Sequence, residues 1–352
     1  MNKQDVLRYC LVSIVLGACC GCSWVGAATP RAVDDPTALR AGGSKTTNPS
    51  PVTTRYVRPF GPNAPWNRPV DGLPRHPQSD ALTNRLWQYS PSRVGNFNLS
   101  FSGYTYPVYM AGTAKGSYPV RAPSWNKLNG TKIPWSPDWK PATGSDSQVI
   151  ILDPDSGREW DLWQASFDGA AVHVSNGNLV PGSYLTKEDG FKPSRGCGIS
   201  YLAMLVRPEE IAQGKIEHAL SMPSRNTAKT FVAPATKSDG RATDNGLPMG
   251  TRFALNITDA EIDEWVNALP SQLTGQTRRA ARIIAVALRD YGWFISDTAG
   301  GAHFQFEDNA TAKAKWEALG LGEKSIGWKN YPTDLLDGLL TKQRIYAIAP
   351  SN

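Results

Sequence analysis

Between about residue 100 and residue 255 the chain is a succession of short apolar runs broken by polar punctuation. YTYPVYMA, YPVRAP, QVIILDP, REWDLWQASF, AAVHVSN, KIEHALSM, TFVAPAT and TRFALNI are rich in Val, Ile, Tyr, Phe and Trp. Pro, Gly, Asn and Asp separate them, which is the pattern of many short strands joined by turns. Asp153-Pro154-Asp155-Ser156-Gly157 lies between two of these runs and predicts a tight hairpin. Such spacing predicts a mainly β protein, a sandwich or jelly roll with several peripheral α-helices.

Helical periodicity appears at both ends of this region. Leu82, Leu86 and Tyr89 are spaced for a short helix over 80–89. Thr258 followed by Glu261 three residues on predicts a capping box at the head of DAEIDEWVNAL. Ala280, Ile283, Ile284, Ala287 and Leu288 fall on one face of a helix over 276–291, and Gly292 is placed to end it. Two strand-like runs follow, WFISDT and AHFQFED, and short helices are expected near 311–319 and 332–340. No internal repeat is visible.

The N-terminal pattern is different. Lys3 and Arg8 precede an apolar run, Leu11 to Ala18, that is too short to span a bilayer. A basic start, a short apolar stretch and small residues predict a signal peptide over 1–28. Two processing schemes fit. Leu16-Gly17-Ala18-Cys19 resembles a lipoprotein box in which Cys19 is lipidated and anchors the chain to a membrane, while Gly26-Ala27-Ala28 fits ordinary cleavage. Residues 29–61, rich in Pro, Thr and Ser, read as a flexible tether, leaving 62–352 as one β-rich domain. The expected location is outside the cytoplasm: periplasmic, outer-membrane-anchored or secreted.

Composition narrows the chemistry. Of 5 cysteines only Cys197 lies beyond the leader, so no disulfide can form within the domain. The net charge of +6 is spread without a basic block, which argues against a nucleic-acid partner. The 4 histidines lack ligand spacing, no phosphate-binding glycine motif occurs, and neither a metal nor a cofactor is expected. A monomer acting on a polysaccharide is the expected state.

Five segments, GSDSQVIILDPDSGREWDLWQA, ISYLAMLVRPEEIAQGKIEHAL, FVAPATKSDG, LPMGTRFAL and ALRDYGWFISDTAG, occur in this order. As a set they resemble a broad group of exported bacterial proteins with no settled activity. The likeness covers roughly residues 64 to 308. It implies common ancestry and export, not a reaction. At the position of Lys237 that group often carries His, so a catalytic role there implies a different pH dependence for this chain.

Several constellations are candidates for catalysis. Glu159 and Asp161 are two apart in REWDLWQ and share one strand face with Trp163, while Trp160 and Leu162 face the other way. Carboxylates beside Trp suit a sugar site, since Trp stacks on a pyranose ring and an apolar neighbour raises a carboxyl pKa. Strand geometry sets the pair near 7 Å apart, short for an inverting glycosidase and long for a retaining one. A partner from another strand, Asp239 or Asp297, is therefore expected. The plainer reading makes the acids ion-pairing surface residues.

His218, an isolated His in a strand, is either a hydrogen-bonded core residue or a general base. Lys237, in the loop after a strand, either neutralises a substrate carboxylate or sits in a capped turn. In a lyase, His218, Lys237 or Tyr184 takes the α-proton and Arg195 neutralises the uronate. Trp163, Tyr184, Arg195 and Tyr291 are the substrate-binding candidates. SRGCGIS is similar to the Ser-x-Gly-Cys loop of L,D-transpeptidases, but Arg195 stands where the usual His precedes Gly-Cys. Cys197 is either a nucleophile or a buried inert thiol. Asp297 and His303 are expected to line one cleft.

The leading expectation is an exported glycoside hydrolase or polysaccharide lyase. The alternatives are a non-catalytic glycan-binding or envelope-structural lipoprotein, and a cysteine-dependent cell-wall enzyme built on Cys197.

Overall fold

The strand Arg158–Trp163 divides the protein's interior in two, because its side chains alternate between two apolar cores. It pairs antiparallel with Val149–Asp153 across the expected hairpin, in the register Ile150↔Asp161 and Leu152↔Glu159. Val149, Ile151, Trp160 and Leu162 enter the smaller core with Trp135 and Trp139. Ile150 and Leu152 enter the larger one. Directly opposed residues share a face, so Glu159 and Asp161 point toward the larger core. The turn is held by Asp153, which accepts from the Asp155 N–H and the Ser156 hydroxyl, and by Gly157 at φ +67.

The computed structural model describes residues 56–89, 96–189 and 195–350. The expected signal peptide, Cys19 and most of the expected tether lie outside these residues. Phe60, at the end of that tether, is buried against Trp66, and its N–H donates to the Tyr184 carbonyl.

The described residues are mainly β, with 5 α-helices. Strands form three four-stranded sheets and three two-stranded ones, with no closed barrel among the described residues. The first sheet joins Val108–Met110, Val149–Asp153, Arg158–Trp163 and Asn176–Leu179. A second joins Lys132–Trp135, Gly116–Arg121, Val172–His173 and Ser166–Phe167. The third runs Leu220–Ser224, Trp293–Thr298, Arg252–Leu255, Ile345–Ile348. Each sheet contains a parallel pair: Val108–Met110 with Val149–Asp153, Gly116–Arg121 with Val172–His173, and Leu220–Ser224 with Trp293–Thr298. Parallel neighbours need long crossovers, unlike the antiparallel meanders and Greek keys of the expected sandwich or jelly roll.

The helices follow their sequence signals closely. Ser79–Gln88 buries Leu82 and Leu86. Asp259–Asn267 starts at the capping box, with Thr258 Oγ1 accepting from Glu261 N at 3.2 Å and Glu261 Oε2 from Thr258 N at 2.9 Å. Gly275–Asp290 buries the expected face and ends at Gly292, φ +66, where a Cβ would strike the Phe253 carbonyl. Two expectations fail. Residues 332–340 form turns instead of a helix, although Leu335, Leu336, Leu339 and Leu340 are buried. KIEHALSM becomes a strand only from Leu220, so His218 lies before the strand and the face argument does not apply to it.

Candidate functional site

The loop Arg195–Met204 organises the site by directing N–H groups at Glu159, Asp161 and Asp297 and by burying the Arg195 charge near them. The inner pair is Glu159 and Asp161, both 0% exposed. Glu159 Oε1 accepts from Ser200 Oγ at 2.5 Å and Leu202 N at 3.1 Å, and Asp161 Oδ2 accepts from Tyr201 N at 3.1 Å. The two carboxyls adjoin each other, and their other oxygens, Glu159 Oε2 and Asp161 Oδ1, are buried with no hydrogen-bond partner. Burial raises both above the usual carboxylate range, Asp161 the more because Glu159 is beside it. Sealed from solvent, they present no atom to a polymer.

The outer pair is Asp239 and Asp297. Asp297 is next to last in Trp293–Thr298, partly exposed, and Asp239 sits in the exposed loop after Thr227–Phe231. Asp297 Oδ1 accepts from Thr298 N at 2.9 Å, and Asp239 Oδ1 accepts from Thr298 Oγ1 at 2.8 Å. The Gly196 N–H also donates to Asp297. Residue 196 must be glycine for this approach, because a Cβ would collide with both carboxylates. Burial and the adjoining Asp239 carboxylate push Asp297 well above the usual range.

Arg195 serves both pairs. It is 0% exposed, its Nη2 donates to the Tyr201 carbonyl at 2.8 Å, and its guanidinium lies 5.1 Å from the Tyr106 ring centre. Tyr106 stacks on Tyr201 at 4.3 Å. Its charge favours the ionised form of Glu159, Asp161 and Asp297. One cation does not offset the burial of Glu159, Asp161 and Asp297, and all three stay raised.

A cleft of about 490 Å³ opens beside Asp297. Its lining includes Tyr104, Asp146, Gln148, Asp297, His303 and Gln305. Tyr104 is 48% exposed although its backbone is left-handed, φ +55. That conformation costs about 1 kcal/mol or more for a non-glycine residue. It is held by Gln305 Nε2 donating to the Tyr104 carbonyl at 2.8 Å and by the ring resting on Gly144. Burial lowers the His303 pKa, and its Nε2 has no hydrogen-bond partner. Gln148 donates to Asp146 Oδ2 at 3.1 Å while its own Oε1 is unpaired.

The other expected site residues divide sharply. Cys197 lies near the charges of Arg195 and Lys237, but it is buried and its thiol is pushed up to about 12, so it carries no thiolate near neutrality. Lys237 is half-buried in the loop that carries Asp239. Tyr184 is buried near Glu159 and is pushed up to about 12, mainly by burial. Trp163 is partly exposed outside the cleft lining. Tyr291 neighbours Arg58, Glu217 and Asp290 instead.

His218 is 2% exposed and pairs with Glu210, not Glu217, at 3.1 Å, its Nδ1 meeting the Ala219 carbonyl at 2.9 Å. Burial alone would lower its pKa, and Glu210 more than offsets that. It therefore belongs to a structural ion pair beside Pro208–Gln213. Sequence reasoning missed Tyr104, Asp146, Gln148, Gln305 and the steric role of Gly196. The sole sequence trace of Tyr104 is an aromatic residue directly after Gly103 in a turn. No group of His, Cys, Asp or Glu among the described residues is arranged to hold a metal ion. No protein-family model, no curated protein and no solved structure matches this chain.

Proposed function

We infer that the protein is a carbohydrate-active enzyme that cleaves a glycosidic bond of an extracellular or envelope polysaccharide in the cleft between Tyr104 and Asp297. The observation that carries this reading is the Asp297 carboxyl on an open cleft beside an exposed aromatic ring, with burial and the adjoining Asp239 raising its pKa well above the usual range. A neutral carboxyl at neutral pH can donate its proton to a leaving glycosidic oxygen. Tyr104 offers its face to a sugar ring. Asp239 lies too close to Asp297 to be the second catalytic carboxylate, since glycosidase pairs stand roughly 5 to 9.5 Å apart. Its role is to hold the proton on Asp297. Asp146, on the same cleft, is the carboxylate assigned to activate water or attack the sugar.

One observation favours the lyase form of this reading. His303 lines the same cleft and burial lowers its pKa, so it is a neutral base near pH 7, and a shift of its ring would bring the unpaired, now buried Nε2 to an α-proton. Arg195, sealed behind Asp297, does not reach a uronate. The N-terminal pattern assigns this activity to the outside of the cytoplasm, with Cys19 the lipid anchor in one of its two processing schemes.

The test is incubation of the purified protein with a panel of neutral and uronate-containing polysaccharides. New reducing ends without ultraviolet absorbance identify a hydrolase, and unsaturated products identify a lyase. Binding of a panel glycan without cleavage would replace this reading with a glycan-binding protein.

A further inference from the structure

A second cavity, sharing no lining residue with the cleft, lies on the third sheet and has about 340 Å³ of space. That volume is in the range of small-ligand sites. Its floor is one row of cross-strand neighbours, Phe294, Arg252 and Ile348, brought together by the registers Arg252↔Phe294 and Arg252↔Ile348. Residues opposite one another on adjacent strands project from the same face, so the guanidinium lies between two apolar side chains. Helix Ser79–Gln88 contributes Leu82 and Arg85 to the wall, and Arg68 and His76 complete a basic rim.

The charge on this cavity is uncompensated. No Asp or Glu lines it. Arg252 is 7% exposed and makes no ion pair among the described residues. Its partners are all neutral carbonyls: Tyr291 at 3.0 and 2.7 Å, Pro65 at 3.3 Å and Arg68 at 2.5 Å. Those bonds use four of the five guanidinium N–H groups and leave one on Nη1. A buried cation normally has an anion beside it, because carbonyl dipoles replace only part of its lost hydration. Desolvation together with the like charge of Arg68 holds Arg252 down at about 10, as expected of a site lacking its counter-ion.

We propose that this cavity binds a small amphipathic carboxylate, with the head between Arg252, Arg68 and Arg85 and the apolar tail on Phe294, Leu82 and Ile348. The apolar floor and walls favour an acyl chain over a bare inorganic anion, which leaves them wetted. The basic rim favours a carboxylate over an alcohol of the same length, because charge-assisted bonds to Arg are the stronger ones.

Isothermal titration of the full chain with hexanoate, hexanol and inorganic phosphate tests this. Hexanoate is expected to bind, with hexanol and phosphate weaker by about tenfold or more. Arg68→Gln and Arg85→Gln are each expected to weaken hexanoate by about tenfold with the ligand-free Tm unchanged, since both side chains reach solvent. Asp297→Asn, in the other cleft, is expected to leave hexanoate binding as it is. Absence of hexanoate binding, wild-type hexanoate affinity in both arginine variants, or phosphate or hexanol binding as tightly as hexanoate each overturns the proposal. Should either variant fold poorly, the other decides.

Discussion

Two carboxylate pairs lie near Arg195, and they differ in where their surroundings leave them. Glu159 and Asp161 sit on a strand in the wall between two cores, fully buried, with their oxygens facing loop N–H groups and the Ser200 hydroxyl. Asp239 and Asp297 sit where a strand ends and a loop passes, one exposed and one partly so. Glu159, Asp161 and Asp297 are all raised by burial, and all feel the charge of one guanidinium. The inner pair uses its hydrogen-bonding capacity to fix the Arg195–Met204 loop, and that loop delivers Gly196 and Arg195 to the outer pair. Perturbed pKa values alone therefore do not locate catalysis, since the inner pair is perturbed as well. Access to solvent separates the two roles.

The largest expected effect separates the pairs by activity. On a glycan that the wild type cleaves, Asp297→Asn is expected to lower kcat by about a hundredfold or more, the scale of lost acid–base catalysis, with an unchanged circular dichroism spectrum. A variant as fast as wild type removes the outer pair from the mechanism. Asp146→Asn should fall comparably if the enzyme is a hydrolase and His303→Gln if it is a lyase.

Next, Glu159→Ala should act on stability. It leaves the Ser200 hydroxyl and the Leu202 N–H without their acceptor in a sealed site, a loss of about 3 kcal/mol in urea unfolding. A loss below about 0.5 kcal/mol, the level of ordinary surface changes, would mean that the inner pair does not hold the loop.

Gly196→Ala joins the two regions. The added methyl must displace Asp239 and Asp297. A fall of about tenfold or more in kcat is expected, with a stability change of about 1 kcal/mol. Unaltered kinetics would show that the close approach of this loop is dispensable.

The pH dependence carries a definite sign. The folded-state pKa values of Asp161 and Asp297 lie above the unfolded value of about 4. Each therefore favours the folded state fully below pH about 4, and that contribution is lost as pH rises through the folded pKa. Asp161→Asn removes one such group. The stability difference, wild type minus variant, should decline as pH rises above about 4 in parallel denaturant titrations. A difference that grows instead contradicts a raised Asp161 pKa in the folded state.

The smallest effect is expected at Cys197. Its thiol is buried and pushed up to about 12, so Cys197→Ala should keep wild-type turnover and cost about 1 kcal/mol. Abolished turnover with an intact fold would restore the thiol mechanism.

Local signals in the sequence determined much of the secondary structure. The Thr258–Glu261 box, the Gly292 stop, the 276–291 helical face and the Asp153–Gly157 turn depend on contacts within a few residues, and all appear as expected. Strand alternation also placed Glu159 and Asp161 on one face and Trp160 and Leu162 on the other. It did not reveal what covers each face, because an acid on a strand reads the same in solvent as beneath a loop 40 residues onward. The expected helix over 332–340 gave way to turns, where packing that buries Leu335, Leu336, Leu339 and Leu340 set the backbone form. Tertiary structure alone decided the parallel pairings, the contact of Gly196 with Asp239 and Asp297, and the row Phe294–Arg252–Ile348. Each joins residues remote along the chain, where no local propensity acts and register between strands fixes which side chains meet.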